Sequence, residues 1–262
     1  MNLTNLVKDR ISSINSKIGV YYYDLKTDES FFIGNTDTFE SLGIAKLVMM
    51  IEVFNQTEQG KLNFEDKYIL KDDKQLLVRE EEYEQTVGIL DFLHKGIELT
   101  IGDLVKMMII ISDNAAFNVL YSLVGKDNIN KTMESLGLVN TRIESMLSEL
   151  DNGDSNNYHS VKEIGWLLKM MYKGQLISQS ASASMLKLLA YHQRRNTFSY
   201  YSNQGYSVMQ QTGFDENTLH TTAIVETEDP FILCMSIDEM DAKKSENVLK
   251  DIAIMCGDKS LF

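Results

Sequence analysis

Lys46 is the first residue whose neighbours are spaced for chemistry: it stands three places after Gly43 in Phe39-Glu40-Ser41-Leu42-Gly43-Ile44-Ala45-Lys46. Three residues is close to one helical turn, so positions 43 and 46 share a face. A hydroxyl at 43 beside the Lys46 amine would be a nucleophile with its base, but glycine has nothing to attack with. Ser41, two residues upstream, falls at the helix start, where serine acts as an N-cap for a backbone N–H. Two more polar triplets follow, Ser112-Asp113-Asn114 and Gln211-Thr212-Gly213. No histidine pair has metal-ligand spacing, no glycine-rich phosphate loop occurs, and Cys234 and Cys256 form neither a metal motif nor a disulfide framework.

The succession around these triplets is more specific than the triplets themselves. Gly88-Ile89-Leu90-Asp91-Phe92-Leu93 and Leu99-Thr100-Ile101-Gly102-Asp103-Leu104 precede Ser112-Asp113-Asn114, and Ala115-Ala116-Phe117-Asn118-Val119-Leu120 and Ser135-Leu136-Gly137-Leu138 follow it. Together they resemble class A β-lactamases, penicillin-recognising serine hydrolases whose signatures are S-x-x-K, S-D-N and K-T-G. Here the three read G-x-x-K, S-D-N and Q-T-G. The resemblance implies catalytic positions at Lys46, Ser112, Glu144 and Gly43, the last being the nucleophile position without its serine. It implies substrate-binding positions at Asn114, Gln211, Thr212 and Gly213. Glu144 enters through Arg142-Ile143-Glu144-Ser145-Met146-Leu147-Ser148, which follows the family's omega-loop pattern R-x-E-x-x-L-N except at Ser148. It is the implied base for a hydrolytic water and is expected to face the pocket, with Glu149 a distant second. Gln211 keeps hydrogen bonds at the K-T-G position but not the charge that would attract a carboxylate. His220 is weighed as a replacement cation and read as a neutral surface histidine.

These groups need elements to hold them. Residues 3–16 read as an amphipathic helix, 18–25 and 30–33 as a strand hairpin, and 43–59 as a buried helix with Leu47, Met50, Ile51 and Phe54 on one face. Thr100 and Asp103 make a capping-box-like start to a helix that runs to Ser112, and a second helix starts after Asn114. Further helices are expected at 127–136, 160–173 and 180–192, strands at 206–212, 221–227 and 231–237, and a closing helix from Lys243 to Met255. The order predicts an α/β (α+β) protein: an antiparallel sheet with flanking terminal helices, assembled from both ends of the chain, plus an all-helical subdomain. The discontinuous α/β part covers 1–34 and 196–262, the insertion 35–195. The resemblance implies a β-lactamase/transpeptidase-like fold.

With 262 residues, 44% hydrophobic content and a net charge of −13, the chain can bury a large core and would be repelled by nucleic acid and anionic membranes. No stretch reaches membrane-span length and the first residues lack a signal-peptide core. With Met1 as natural start the location is cytoplasmic; otherwise the protein is secreted with its signal removed. The expected function is a penicillin-recognising relative that is inactive or strongly impaired, needs no cofactor, and keeps a pocket for a small-molecule or peptidoglycan-like ligand or for a partner. One alternative is an active hydrolase of β-lactams or related amides and esters, using Ser41 or a water activated by Glu144 or Lys46. Another is an interaction module that docks a protein through the aromatic and arginine-bearing segment 191–206.

Overall fold

Strand alternation in the first and last thirds of the chain builds a sheet with two apolar faces. In the computed structural model, which describes residues 2–72, 87–147, 156–194 and 196–257, the sheet takes β1 (Lys17–Asp24) and β2 (Ser30–Gly34) from one end. From the other end come β7 (Ser207–Phe214), β8 (Leu219–Glu226) and β9 (Phe231–Asp238), giving the antiparallel order β2-β1-β9-β8-β7. Ser148, Glu149, Arg195 and the acidic run 80–84 lie outside the described residues. The period of two sends Ile18, Val20 and Tyr22 to one face, where they pack with Val7 of α1 (Leu3–Ile11) and Leu249 and Ile252 of α9 (Ala242–Gly257). The opposite face, including Met209, Ile224, Ile232 and Cys234, joins the larger core formed with the central helices.

Those helices are α2 (Ala45–Glu58), α3 (Ile101–Ile110), α4 (Asn114–Val124), α5 (Lys126–Ser135), α6 (Val161–Tyr172) and α7 (Gln179–Ala190). Helix α2 is buried nearly all round, with Leu47 through Ile51 inaccessible, as expected of a central helix. Its one interior carboxylate, Glu52, is bonded by the Gln56 and Asn55 side-chain amides. The capping box at Thr100 and Asp103 forms as the sequence predicts. Helix α1 stops at Ile11, short of the expected 16, because the chain turns through Ser12 and Ile14 toward β1.

The middle of the chain is not purely helical. Two small ladders lie within it, β3 (Thr38–Glu40) with β6 (Tyr158–Ser160), and β4 (Lys67–Ile69) with β5 (Glu98–Thr100). Strands of three residues show no period of two, so periodicity could not reveal them. A short helix α8 (Ser199–Asn203) was likewise unexpected. Among the described residues no helix is long and apolar enough to cross a membrane, and no cluster of histidine, cysteine and carboxylate is arranged to hold a metal.

Candidate functional site at the Gly43 and Lys46 junction

Three segments converge where the sequence places its chemistry: the start of α2, the turn between α3 and α4, and the buried edge strand β7. Lys46, on the first turn of α2, is 1% exposed. Its ammonium donates to the Ser112 carbonyl oxygen at 2.6 Å, to Ser112 Oγ at 2.8 Å and to Asn114 Oδ1 at 2.6 Å. An ammonium carries three donors, and all three are satisfied here. Burial pulls the Lys46 pKa down to about 7, with the Asp113 carboxylate pulling the other way. Asp113 itself is a structural clamp: it caps α4 through Ala116 N–H and accepts from the backbone N–H groups of Ile89 and Leu90. Ser112 has a left-handed backbone, φ 61°, which turns its carbonyl toward Lys46.

Gly43 lies in a single 3-10 turn, Leu42–Ile44, ahead of α2. Leu42, just before it, is also left-handed, φ 43°. Left-handed non-glycine residues each cost on the order of 1–3 kcal/mol and persist only where their surroundings over-determine them. What holds this turn is β7. A Cβ built on Gly43 would overlap the Thr212 carbonyl oxygen and lie 3.1 Å from Gly213 Cα. A Cβ on Gly213 would come within 2.8 Å of Gly43 N and 3.0 Å of the Ser41 carbonyl oxygen. The Gln211 amide closes the contact by donating from Nε2 to the Gly43 carbonyl oxygen at 3.1 Å, while Gln211 Oε1 has no partner. Two glycines therefore let strand and turn touch backbone to backbone, where a side chain at 43 would hold them apart.

The structure thus brings Lys46, Ser112 and Asn114 together, and Gly43, Gln211, Thr212 and Gly213 together beside them. It does not bring Glu144. The Glu144 carboxylate is turned outward, 32% exposed, with Oε2 3.4 Å from Lys126 Nζ and Oε1 3.5 Å from Arg142 Nε. This corrects the expectation that it faces the pocket. The cause is the backbone around it, held by three amide side chains that the sequence reading missed. Asn130 exchanges two bonds with Ile143, and Asn118 Oδ1 accepts from Leu147 N–H. Fully buried Asn157 accepts from both Glu144 N–H and Ser145 N–H and donates to the Ser145 carbonyl oxygen, while its own carbonyl accepts from Ser41 N–H. No short motif marks these asparagines, because each partner is 12 or more residues away for Asn157 and 13 or 29 for the others. Asn157→Leu leaves two backbone N–H groups and the Ser145 carbonyl unmet; at about 1–3 kcal/mol for a buried group left unsatisfied, the expected loss is about 3 kcal/mol in urea unfolding.

Two more expectations change. Ser41 makes no cap bond; it is fully buried and its hydroxyl has no partner, because the turn that follows it is 3-10 rather than a helical first turn. His220 is not a surface residue but 1% exposed, wedged beside Phe39 and 4.9 Å ring to ring from His159. Neither His220 nitrogen has a well-formed hydrogen bond, although the Glu40 backbone is close enough to favour protonation slightly. His159 Nε2 pairs with Ser236 Oγ at 3.0 Å. Burial pushes His220 down to about 4 and His159 well below the ordinary histidine value. A histidine depressed in the folded state favours folding fully above the unfolded pKa near 6.5, and that contribution disappears as pH falls toward 4. Urea midpoints should therefore drop between pH 6.5 and 4, and His220→Phe should flatten part of that slope.

On the other face of β7 lie His192, Arg194, Asn196 and Thr197. His192 bridges the Ile109 carbonyl oxygen, 2.7 Å from Nδ1, and Thr212 Oγ1, 3.1 Å from Nε2. Beside it opens a cleft of about 230 Å³ whose lining includes Thr197, Thr212, Phe214, Arg194, Lys243 and Glu246, with the Arg194 guanidinium stacked 3.2 Å from the Phe214 ring centroid. Within segment 191–206, Phe198 and Tyr201 are core residues, and Tyr201 Oη donates to the Ala253 carbonyl oxygen; Tyr191 and Tyr206 remain exposed.

A five-stranded antiparallel sheet with helices on both faces, and a lysine, an S-D-N turn and a Q-T-G strand at one junction, is the arrangement of the penicillin-recognising serine hydrolases with two of their signature residues replaced. The sequence of residues 2–259 matches the beta-lactamase enzyme family, and the chain belongs to it. It is 24% identical over 192 residues to extended-spectrum beta-lactamase PER-1 of Pseudomonas aeruginosa, a match spanning 70% of this chain and 60% of that protein. The fold matches the crystal structure of a beta-lactamase from Sphaerobacter thermophilus with TM-score 0.86 at 22% identity, covering 97% of this chain and 94% of that one. A beta-lactamase from Chitinophaga pinensis superposes with TM-score 0.89 at 17% identity, covering 99% and 100%.

Proposed function

We propose that this member of the beta-lactamase family does not acylate and serves as a binding protein built on the hydrolase fold. The observation that carries the reading is the contact of β7 with the Gly43 turn, which fills the space a nucleophile's side chain would occupy. The bonding of Lys46 supports it, since an amine saturated by three acceptors is a pin between α2 and the S-D-N turn rather than a free base. The hydrolase alternative has less support: Ser41 is sealed with no base beside it, and Glu144 is paired with surface cations. The ligand is a small molecule held in the cleft behind β7, where Arg194, Lys243 and Glu246 offer charged groups of both signs. Steady-state assays with nitrocefin and penicillin G test the first half, with hydrolysis expected at the buffer rate. Turnover that disappears in Ser41→Ala or Glu144→Ala would refute it.

A further inference from the structure

A second groove lies away from this junction, in the helical part of the chain. Helices α3 and α7 form its walls and the end of α2 its floor. On α7, Ser184, Lys187, Leu188 and Tyr191 recur at i, i+3, i+4 and i+7, and on α3 Gly102, Val105 and Lys106 face them across the gap. The floor is the tilted ring pair Phe54 and Phe64, with centroids 4.8 Å apart. The Phe64 carbonyl accepts from Gly102 N–H at 2.9 Å, and a Cβ at 102 would lie 3.2 Å from that oxygen. The volume is about 440 Å³, within the usual range for small-molecule sites, and the lining is mostly apolar with few polar groups at the rim.

The rim charges select the occupant. Lys187 is exposed and no carboxylate among the described residues lies within ion-pair distance of it; Lys106 shares a single exposed contact with Asp103 at 3.2 Å. Glu65 is the one acidic side chain among the described lining residues. In a chain of net charge −13, Lys187 stands at the mouth of this apolar slot with no carboxylate partner among the described residues, beside Lys106 on its Asp103 contact. Tyr191, 55% exposed at the same edge, offers an aromatic face and a hydroxyl.

We propose that this groove binds an amphiphilic carboxylate, an apolar chain or ring system lying on Phe54, Val105 and Leu188 with its acid group at Lys187 and Lys106. The probe is dodecanoate below its micellar concentration, titrated into the full chain by calorimetry, with dodecanol and dodecyltrimethylammonium as comparators. Saturable one-to-one binding of dodecanoate is expected, at least about tenfold tighter than the cation, the difference one charge-assisted contact makes. Lys187→Glu should remove that preference. Ser184→Phe, an exposed position whose ring would fill the groove without touching the core, should remove binding of the anion and the alcohol alike. Absence of saturable binding, equal affinity for the cation, or binding unchanged in both variants would overturn the proposal.

Discussion

Gly43→Ser, the substitution that would restore the family's nucleophile, is expected to give no acyl-enzyme and a less stable protein. The new Cβ falls on the Thr212 carbonyl oxygen and close to Gly213 Cα, both backbone atoms of a strand hydrogen-bonded to β8, so neither can step aside alone. Overpacking a filled interior costs about 1–3 kcal/mol and more where backbone must move, and the upper end is expected here. Gly43→Ala separates chemistry from sterics: it should lose as much stability as the serine variant, measured by urea midpoint. If Gly43→Ser instead took up penicillin covalently at full stability, the junction would be an intact pocket missing only its hydroxyl, and the closed-site account would fail.

The second large effect is expected from Lys46→Met. The methionine fills similar volume, but it strands the Ser112 carbonyl, the Ser112 hydroxyl and Asn114 Oδ1 in a buried place. At about 1–3 kcal/mol for each buried group left without its partner, the three stranded acceptors together cost about 3–5 kcal/mol. For a chain of this size that is a fall in Tm of roughly 6–20 °C. The sign of the pH dependence gives a second readout. A lysine lowered to about 7 in the folded state binds fewer protons than the unfolded chain between pH 7 and its ordinary value near 10.5, so its contribution to stability grows as pH rises through that range. The buried thiols Cys234 and Cys256, both raised by burial, act oppositely above the ordinary thiol pKa. The Lys46 slope is therefore cleanest from pH 7 to about 8.5, and Lys46→Met should abolish it. A variant as stable as the parent, with the slope intact, would show that Lys46 carries no structural role.

The sequence was legible where local rules govern. Helix periodicity located α2 through α7 and α9 to within a few residues, the capping box fixed the start of α3, and β-branched runs marked β7 to β9. Lys46, Ser112 and Asn114 could be grouped from spacing and resemblance because each sits at an element's start, where one residue of drift hardly moves it. What was not legible depends on approach between distant segments. Whether glycine at 43 leaves a hole or admits a strand is decided by β7, 168 residues away along the Gln211 bond. The direction of Glu144 is decided by Asn157 and Asn130, and the burial of His220 by β3 and β6 folding over it. Ser41 read as a cap because the type of helix that follows cannot be told from composition.

The closed junction is tested most directly by intact-protein mass spectrometry of the native chain after prolonged incubation with a penicillin and a cephalosporin. The account predicts an unchanged mass with both. A mass increase equal to either antibiotic would contradict it, and the peptide carrying the adduct would identify the nucleophile that the closed contact at Gly43 leaves no room for.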